Sequence, residues 1–246
     1  MKLILLNILL FISILSFSQE SVKVLASTAW TAAYVRAAGI ENVELLAPSN
    51  MLHPSEYELS IDDFKKVDQA DLIVYAGYEV VMQELQKMPN VDKSKFLKIE
   101  TGYNFDIMVE SIRKIASKAK TNDLTEKSIA NIQKAFDVAK SEVKAKGLSN
   151  QPVIAHFFQQ QFAREVGLNP VAVFGPAPLE SYNLVELSQK NAILIIDNIH
   201  NPVSKPLVEI MKNVRHIELI NFPGIKNTSS IEDVIRYNVK QIVGKK

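Results

Sequence analysis

Short apolar runs alternate with longer amphipathic stretches along the chain, and that alternation predicts the elements. Residues 22–26, 43–46, 71–75 and 96–99 are compact and apolar, the pattern of buried strands. Residues 28–38, 61–67 and 107–119 carry helical periodicity. Gly39 offers the first a C-terminal cap, and Ser60 offers the second an N-cap. From Asp123 the pattern lengthens. Leu124, Ile129, Ile132, Ala135, Phe136, Ala139 and Val143 trace one helical stripe that reaches Lys146, just before Gly147. That predicts a helix of about 23 residues, roughly 35 Å long at about 1.5 Å per residue. A second series follows, with strands at 152–155, 171–173, 192–196 and 218–220. Its helices fall at 157–166, 182–188, 203–212 and 231–243.

Strands alternating with helices predict parallel α/β sheets. Two such series joined by one long, rigid helix predict two lobes. The N-terminal α/β lobe is expected over 19–120, the interlobe helix over 121–148 and the C-terminal α/β lobe over 149–246. No internal sequence repeat is visible. Ligands of open parallel sheets sit at the carboxyl ends of the strands, so two lobes predict a cleft between those ends.

The first 18 residues stand apart from this alternation. Met1 and Lys2 precede an apolar run, 3–17, broken by Asn7, Ser13 and Ser16. Ser16 and Ser18 are small residues at the −3 and −1 positions of a cut before Gln19. This is the pattern of a secretory signal peptide. The run falls short of the roughly 20 apolar residues of a membrane span. No Cys follows it, so a lipoprotein anchor is excluded. The mature chain is expected in a periplasm or outside the cell, with no membrane span.

Composition narrows the chemistry further. The 246 residues carry 28 Lys and Arg against 27 Asp and Glu. Near-neutrality removes the electrostatic case for nucleic acid, which needs a basic surface. There is no Cys, which excludes thiolate chemistry and leaves His, Asp and Glu as possible metal ligands. Four histidines are present. His53 lies between a strand and a helix, His156 directly follows a strand, and His200 lies four residues beyond one. His216 precedes a strand. Imidazole with a carboxylate suits zinc or manganese, and loop or capping roles are the alternative, above all for His216. Ser27 and Thr28 have no base placed for them and read as a helix N-cap. Trp30, the single tryptophan, reads as core or as cleft lining. A metallohydrolase would also use His and Asp at strand ends, but no His-x-Glu-x-x-His, His-x-His-x-Asp or Gly-x-Ser-x-Gly pattern occurs.

The segment Pro54-Ser55-Glu56-Tyr57-Glu58-Leu59-Ser60, followed by Ala70-Asp71-Leu72-Ile73-Val74-Tyr75-Ala76-Gly77, resembles a known pattern. Zinc- and manganese-binding solute receptors of ABC importers read approximately "Pro-His-Asp-Tyr-Glu-Leu-Ser", a helix, then "Ala-Asp-Leu-Ile-Val-Tyr-Asn-Gly". Residues 156–168, His-Phe-Phe-Gln-Gln-Gln-Phe-Ala-Arg-Glu-Val-Gly-Leu, resemble that family's second-lobe "His-Asp-Ala-Phe…Tyr-Phe-Ala…Tyr-Gly-Leu". Residues 196–206 stand where the family has an apolar strand, an acidic residue and a helix. The long helix is similar to the family's interlobe backbone, and the resemblance extends over nearly all of 22–243.

The departures concern the ligands. The family's first ligand position holds Ser55, with His53 or Glu56 as substitutes. The family's "Pro-His-x-Trp" loop is shortened here around residues 99–106, where Asn104 stands, and has neither His nor Trp. The third ligand carries over to His156. The fourth, an Asp, is replaced by Asn221. The resemblance therefore implies a rebuilt metal site from His53, His156 and His200, with Asp197 or Glu56 as carboxylate. Zinc is favoured and manganese is possible, and Asn104 and Asn221 offer amide oxygens. Neutral imidazoles would make affinity fall below about pH 6.5. The alternative is a receptor for a chelated metal or small organic solute. The implied partner is an ABC importer permease, and the implied state is a monomer that moves little on binding. Surface carboxylates such as Glu79 are expected to be solvated or to dock the permease.

Overall fold

A computed structural model describes residues 22–244. The expected signal peptide, 1–18, lies outside the described residues. Within them the alternation becomes two four-stranded parallel sheets. The first comprises β1 (Val24–Ala26), β2 (Val43–Leu45), β3 (Leu72–Tyr75) and β4 (Phe96–Lys98), in the order β2-β1-β3-β4. Its helices are α1 (Ala29–Ala37), α2 (Ile61–Gln69), α3 (Val80–Lys87) and α4 (Phe105–Ala119). The long helix α5 (Asn122–Ala145) follows, with 24 residues. The second sheet comprises β5 (Pro152–His156), β6 (Asn169–Phe174), β7 (Leu194–Asn198) and β8 (Arg215–Leu219), in the order β6-β5-β7-β8. Its helices are α6 (Gln160–Glu165), α7 (Ser181–Ser188), α8 (Lys205–Ile210) and α9 (Ile231–Val243).

The two strand orders are the same order shifted by four strands. The halves therefore share one topology although their sequences show no repeat. In each, the first strand sits centrally and the chain reverses its direction of winding after the second. The central strands β1, β3, β5 and β7 are buried and, apart from the carboxyl ends of β5 and β7, largely apolar, as parallel strands covered by helices must be. Pro170 falls on the edge strand β6, where a missing N–H is tolerated.

Helix α5 buries Ile129, Ile132, Phe136, Ala139 and Val143 along one stripe and packs against α4 and α9. This stripe belongs to one continuous core that contains Val24 and Val74 of the first sheet and Val153 and Ile196 of the second. Aromatic rings link the lobes inside it. Trp30 lies 5.3 Å from Tyr103, and Tyr103 lies 5.1 Å from Phe162, ring centre to ring centre. Two smaller clusters fill the outer faces of the sheets, around Ile73 and Leu85 in one lobe and Ile195 and Leu207 in the other. No helix among the described residues is long and apolar enough to cross a membrane.

Candidate functional site

The winding reversal in each sheet leaves a gap at the strand ends, and the two gaps are built differently. In the first lobe, Glu79 closes it. This residue is fully buried. Its carboxylate accepts from the Ser27 hydroxyl after β1 (2.5 Å) and from the Ala76 and Gly77 amides after β3 (2.9 and 2.6 Å). Gly77 reaches this position with φ +98, open to glycine at little cost. The expectation of Glu79 as a surface carboxylate is thus corrected: three donors hold it inside, and it ties β1 to β3. Ser27 is engaged by it, and Thr28 is the N-cap of α1.

The β2–α2 loop supplies the first-lobe wall. Pro54 is buried and starts a 3-10 turn, Pro54–Glu56. The loop's far end is fixed by Asp63, which accepts from Tyr57 Oη (2.7 Å), Ser60 Oγ (2.7 Å) and the Ser60 amide (2.9 Å). Burial opposes ionisation of Asp63, but Lys66, Tyr57 and Ser60 outweigh it and hold the carboxyl well below its ordinary range. Beside the Pro54 anchor, His53 and Glu56 are exposed and Ser55 is half-buried.

The second-lobe wall is made by the ends of β5 and β7. His156 closes β5, fully buried, and both its ring nitrogens have partners. The Phe158 amide donates to Nδ1 at 3.1 Å, so the neutral ring carries its proton on Nε2, 3.1 Å from Asn201 Oδ1. Gly175 packs on the same ring. A Cβ there would lie 2.6 Å from His156 Nε2. Asp197, near the end of β7, is also buried. It accepts from the amides of Asn198 (2.8 Å), Val203 (3.1 Å) and Ser204 (2.9 Å).

His200 follows in the next turn, 4% exposed. Its Nδ1 accepts the Asn221 amide at 3.2 Å, and its ring stacks on Phe222 at 3.8 Å. Its buried Nε2 has no hydrogen-bond partner among the described residues. Burial, reinforced by nearby His53, pushes its pKa down to about 4. Burial lowers that of His156 as well. Both rings are therefore neutral at neutral pH. Tyr103 donates to the Asn221 carbonyl at 2.9 Å, so Asn221 is held at both its N–H and its C=O.

These walls enclose an interlobe cavity of about 580 Å³. His53, Ser55, Glu56, His200, Asn221 and Trp30 all line it. So do Tyr78, Phe157, Phe158, Asn198 and Asn201, which sequence reasoning did not single out. Asn198 and Asn201 had a faint signal, since they flank His200 directly after a strand. Among the described residues, neither Lys nor Arg lines the cavity. Its volume is in the range of small-molecule sites.

Solved structures share this architecture. The Mn-bound periplasmic metal binding protein from Candidatus Liberibacter asiaticus superposes with a TM-score of 0.69 at 16% identity, over 90% of this chain and 98% of that one. The Cd-bound form of that protein gives 0.66 at 17% identity over the same shares. A mutant laminin-binding adhesin (Lmb) from Streptococcus agalactiae gives 0.68 at 14%, again over 90% and 98%. The chain has the fold of periplasmic metal-binding proteins. No family model and no curated protein sequence matches it.

Within that fold, the expected ligand set divides. His53, Glu56 and His200 share one cavity, whereas His156 and Asp197 do not line it. Both are occupied by hydrogen bonds: His156 by the turn after β5 and by Asn201, Asp197 by the turn leading into α8. Asn104 is also outside the lining and caps α4, accepting from the Ile107 amide at 3.1 Å. Among the described residues, one group has three His, Asp or Glu donor atoms within 4.8 Å of one another. It is Asp197, His216 and Glu218, on β7 and β8. His216 also meets Ser204 Oγ at 3.0 Å through Nε2.

Proposed function

We propose that the protein is a solute-binding receptor, not an enzyme, that captures a divalent transition metal between its lobes. In this reading it works in the periplasm as a monomer and delivers its cargo to the permease of an ABC importer. The observation that carries the proposal is the meeting of His53 and Glu56 with His200 at one interlobe cavity, at the strand ends of both sheets. The fold of the Mn-bound and Cd-bound proteins supports it. Zinc is preferred over manganese, because the cavity offers imidazole and a single carboxylate where manganese favours a more oxygen-rich set. Exposed and placed on the loop anchored by Pro54 and Asp63, His53 and Glu56 are the metal-facing pair. The expected ligands His156 and Asp197 act instead as supports of the second-lobe wall.

Calorimetry on protein stripped of metal tests this. Zinc, offered as the free ion and as its citrate complex, is expected to bind one-to-one in at least one form. His53→Ala should weaken that binding at least about tenfold, the scale of one lost charge-assisted contact. No saturable binding of zinc or manganese in either form would overturn the proposal.

A further inference from the structure

The second-lobe wall offers hydrogen where a bare cation needs lone pairs. A backbone N–H is always a donor, so the Asn221 amide fixes His200 Nδ1 as the acceptor. The proton of the neutral ring then sits on Nε2, the buried nitrogen that has no partner. His156 repeats the arrangement. Its Nε2–H is given to Asn201 Oδ1, and that leaves the Asn201 NH2 free to face a ligand. Asn198 Oδ1 accepts from Gln159 Nε2 at 3.2 Å. His200, Asn201 and Asn198 all line the cavity, and each has a side-chain N–H without a partner among the described residues.

Three further features restrict what those donors receive. The cavity volume, about 580 Å³, far exceeds a water molecule's share of about 30 Å³. Trp30, Tyr78, Phe157, Phe158 and Phe222 make much of the wall apolar, which suits a carbon skeleton. With neither Lys nor Arg on that wall, and with Glu56 on it, a free polycarboxylate anion would be poorly held. A chelate meets all three conditions, because its metal offsets the charge of its carboxylates while oxygens remain to accept hydrogen bonds.

We propose that the cargo is a divalent metal already chelated by a small hydroxycarboxylate. His53 and Glu56 complete the metal's coordination from the first lobe. His200 Nε2–H and the Asn198 and Asn201 amides hold the chelator's oxygens from the second. This rests on the receptor reading above and names the form of its cargo.

Calorimetry with three probes tests it: zinc sulfate, zinc citrate and sodium citrate. Zinc citrate is expected to bind about tenfold or more tighter than the zinc ion, the scale of one or two added hydrogen bonds to a charged ligand. Citrate alone should give no saturable heat. Asn201→Asp replaces a donor with an acceptor, so it should weaken zinc citrate while leaving the bare ion bound no more weakly. His200→Phe preserves the stacking on Phe222 and should also lower affinity for the chelate selectively. Circular dichroism of both variants controls for folding, and either one that folds suffices. Bare zinc binding as tightly as the chelate, with His200→Phe abolishing it, would make His200 a ligand and overturn the inference while the receptor reading stood. Tight binding of citrate alone would also overturn it. Binding of none of the three would overturn the inference, and the same result with manganese and its citrate complex would remove the receptor reading as well.

Discussion

His200 is the residue whose surroundings have the clearest thermodynamic consequence. Its pKa of about 4 in the folded chain lies below the ordinary histidine value of 6.5. Between those two values the unfolded chain takes up a proton that the folded chain refuses. Stability contributed by the neutral ring is therefore complete above about pH 6.5 and is lost as pH falls toward 4. The slope from one such group is at most about 1.4 kcal/mol per pH unit. Burial shifts His156 in the same direction and adds to the loss. Asp233, pushed down to about 2 by hydrogen bonds from Ser229, Arg236 and Ser230 that outweigh its burial, acts lower still, as pH falls from the ordinary 3.8 toward 2. The histidine and carboxylate windows are thus separable. Urea denaturation at pH 7, 6 and 5 should show falling unfolding free energy, with a shallower fall in His200→Phe. An equal slope in both proteins would mean that His200 does not carry the effect.

Among the elements, the strands and long helices were legible because their periodicity is set by burial. The stripe on α5 appears in the structure residue for residue from Ile129 to Val143, apart from Ala135, which is only partly buried. Helix α3 was not anticipated. Its N-cap is Glu79, not one of the short polar residues that announce a helix start, and it opens with two valines. The same residue reads as a surface carboxylate in sequence, since nothing local marks a Glu whose partners lie 52 residues back in sequence as well as beside it. The site divided along similar lines. The pattern of one loop singles out His53, Ser55 and Glu56, and all three line the interlobe cavity. The roles of His156 and Asp197 depend on which backbone amides the turns bring round, and no spacing rule states that. Glu79 also supports a direct prediction. All its contacts are donors, so Glu79→Gln sets an NH2 against N–H or O–H groups at the junction of β1 and β3. The cost should be about 1–3 kcal/mol, the penalty for a buried polar group left without a partner. Chemical denaturation measures it, and a change below about 0.5 kcal/mol, the range of a surface substitution, would mean the carboxylate does not staple the strands.

At the scale of the molecule, the two lobes are one packed body. Helix α5, about 36 Å long at about 1.5 Å per residue, runs along a core that holds residues of both sheets. The Trp30–Tyr103–Phe162 rings cross from one lobe to the other beneath the cavity. Tyr103 adds a hydrogen bond to the Asn221 carbonyl of the second lobe. Opening a hinge would separate these rings and leave that carbonyl without its donor. Close-packed interiors resist such motion, so wide closure on binding is disfavoured relative to adjustment of the loops that rim the cavity. The radius of gyration, about 17 Å for a compact chain of this size, should therefore change by less than about 0.5 Å when zinc citrate is added in small-angle scattering. A contraction of about 1 Å or more would show that the shared core does not restrain the lobes. If the radius holds, the permease proposed above has little global shape change to read. Cargo-dependent recognition must then lie where binding acts locally, on the 51–56 loop that carries His53 and Glu56 and on the exposed Phe157 and Phe158 opposite it. Hydrogen exchange with and without cargo would find protection concentrated in those two segments, with α5 unchanged.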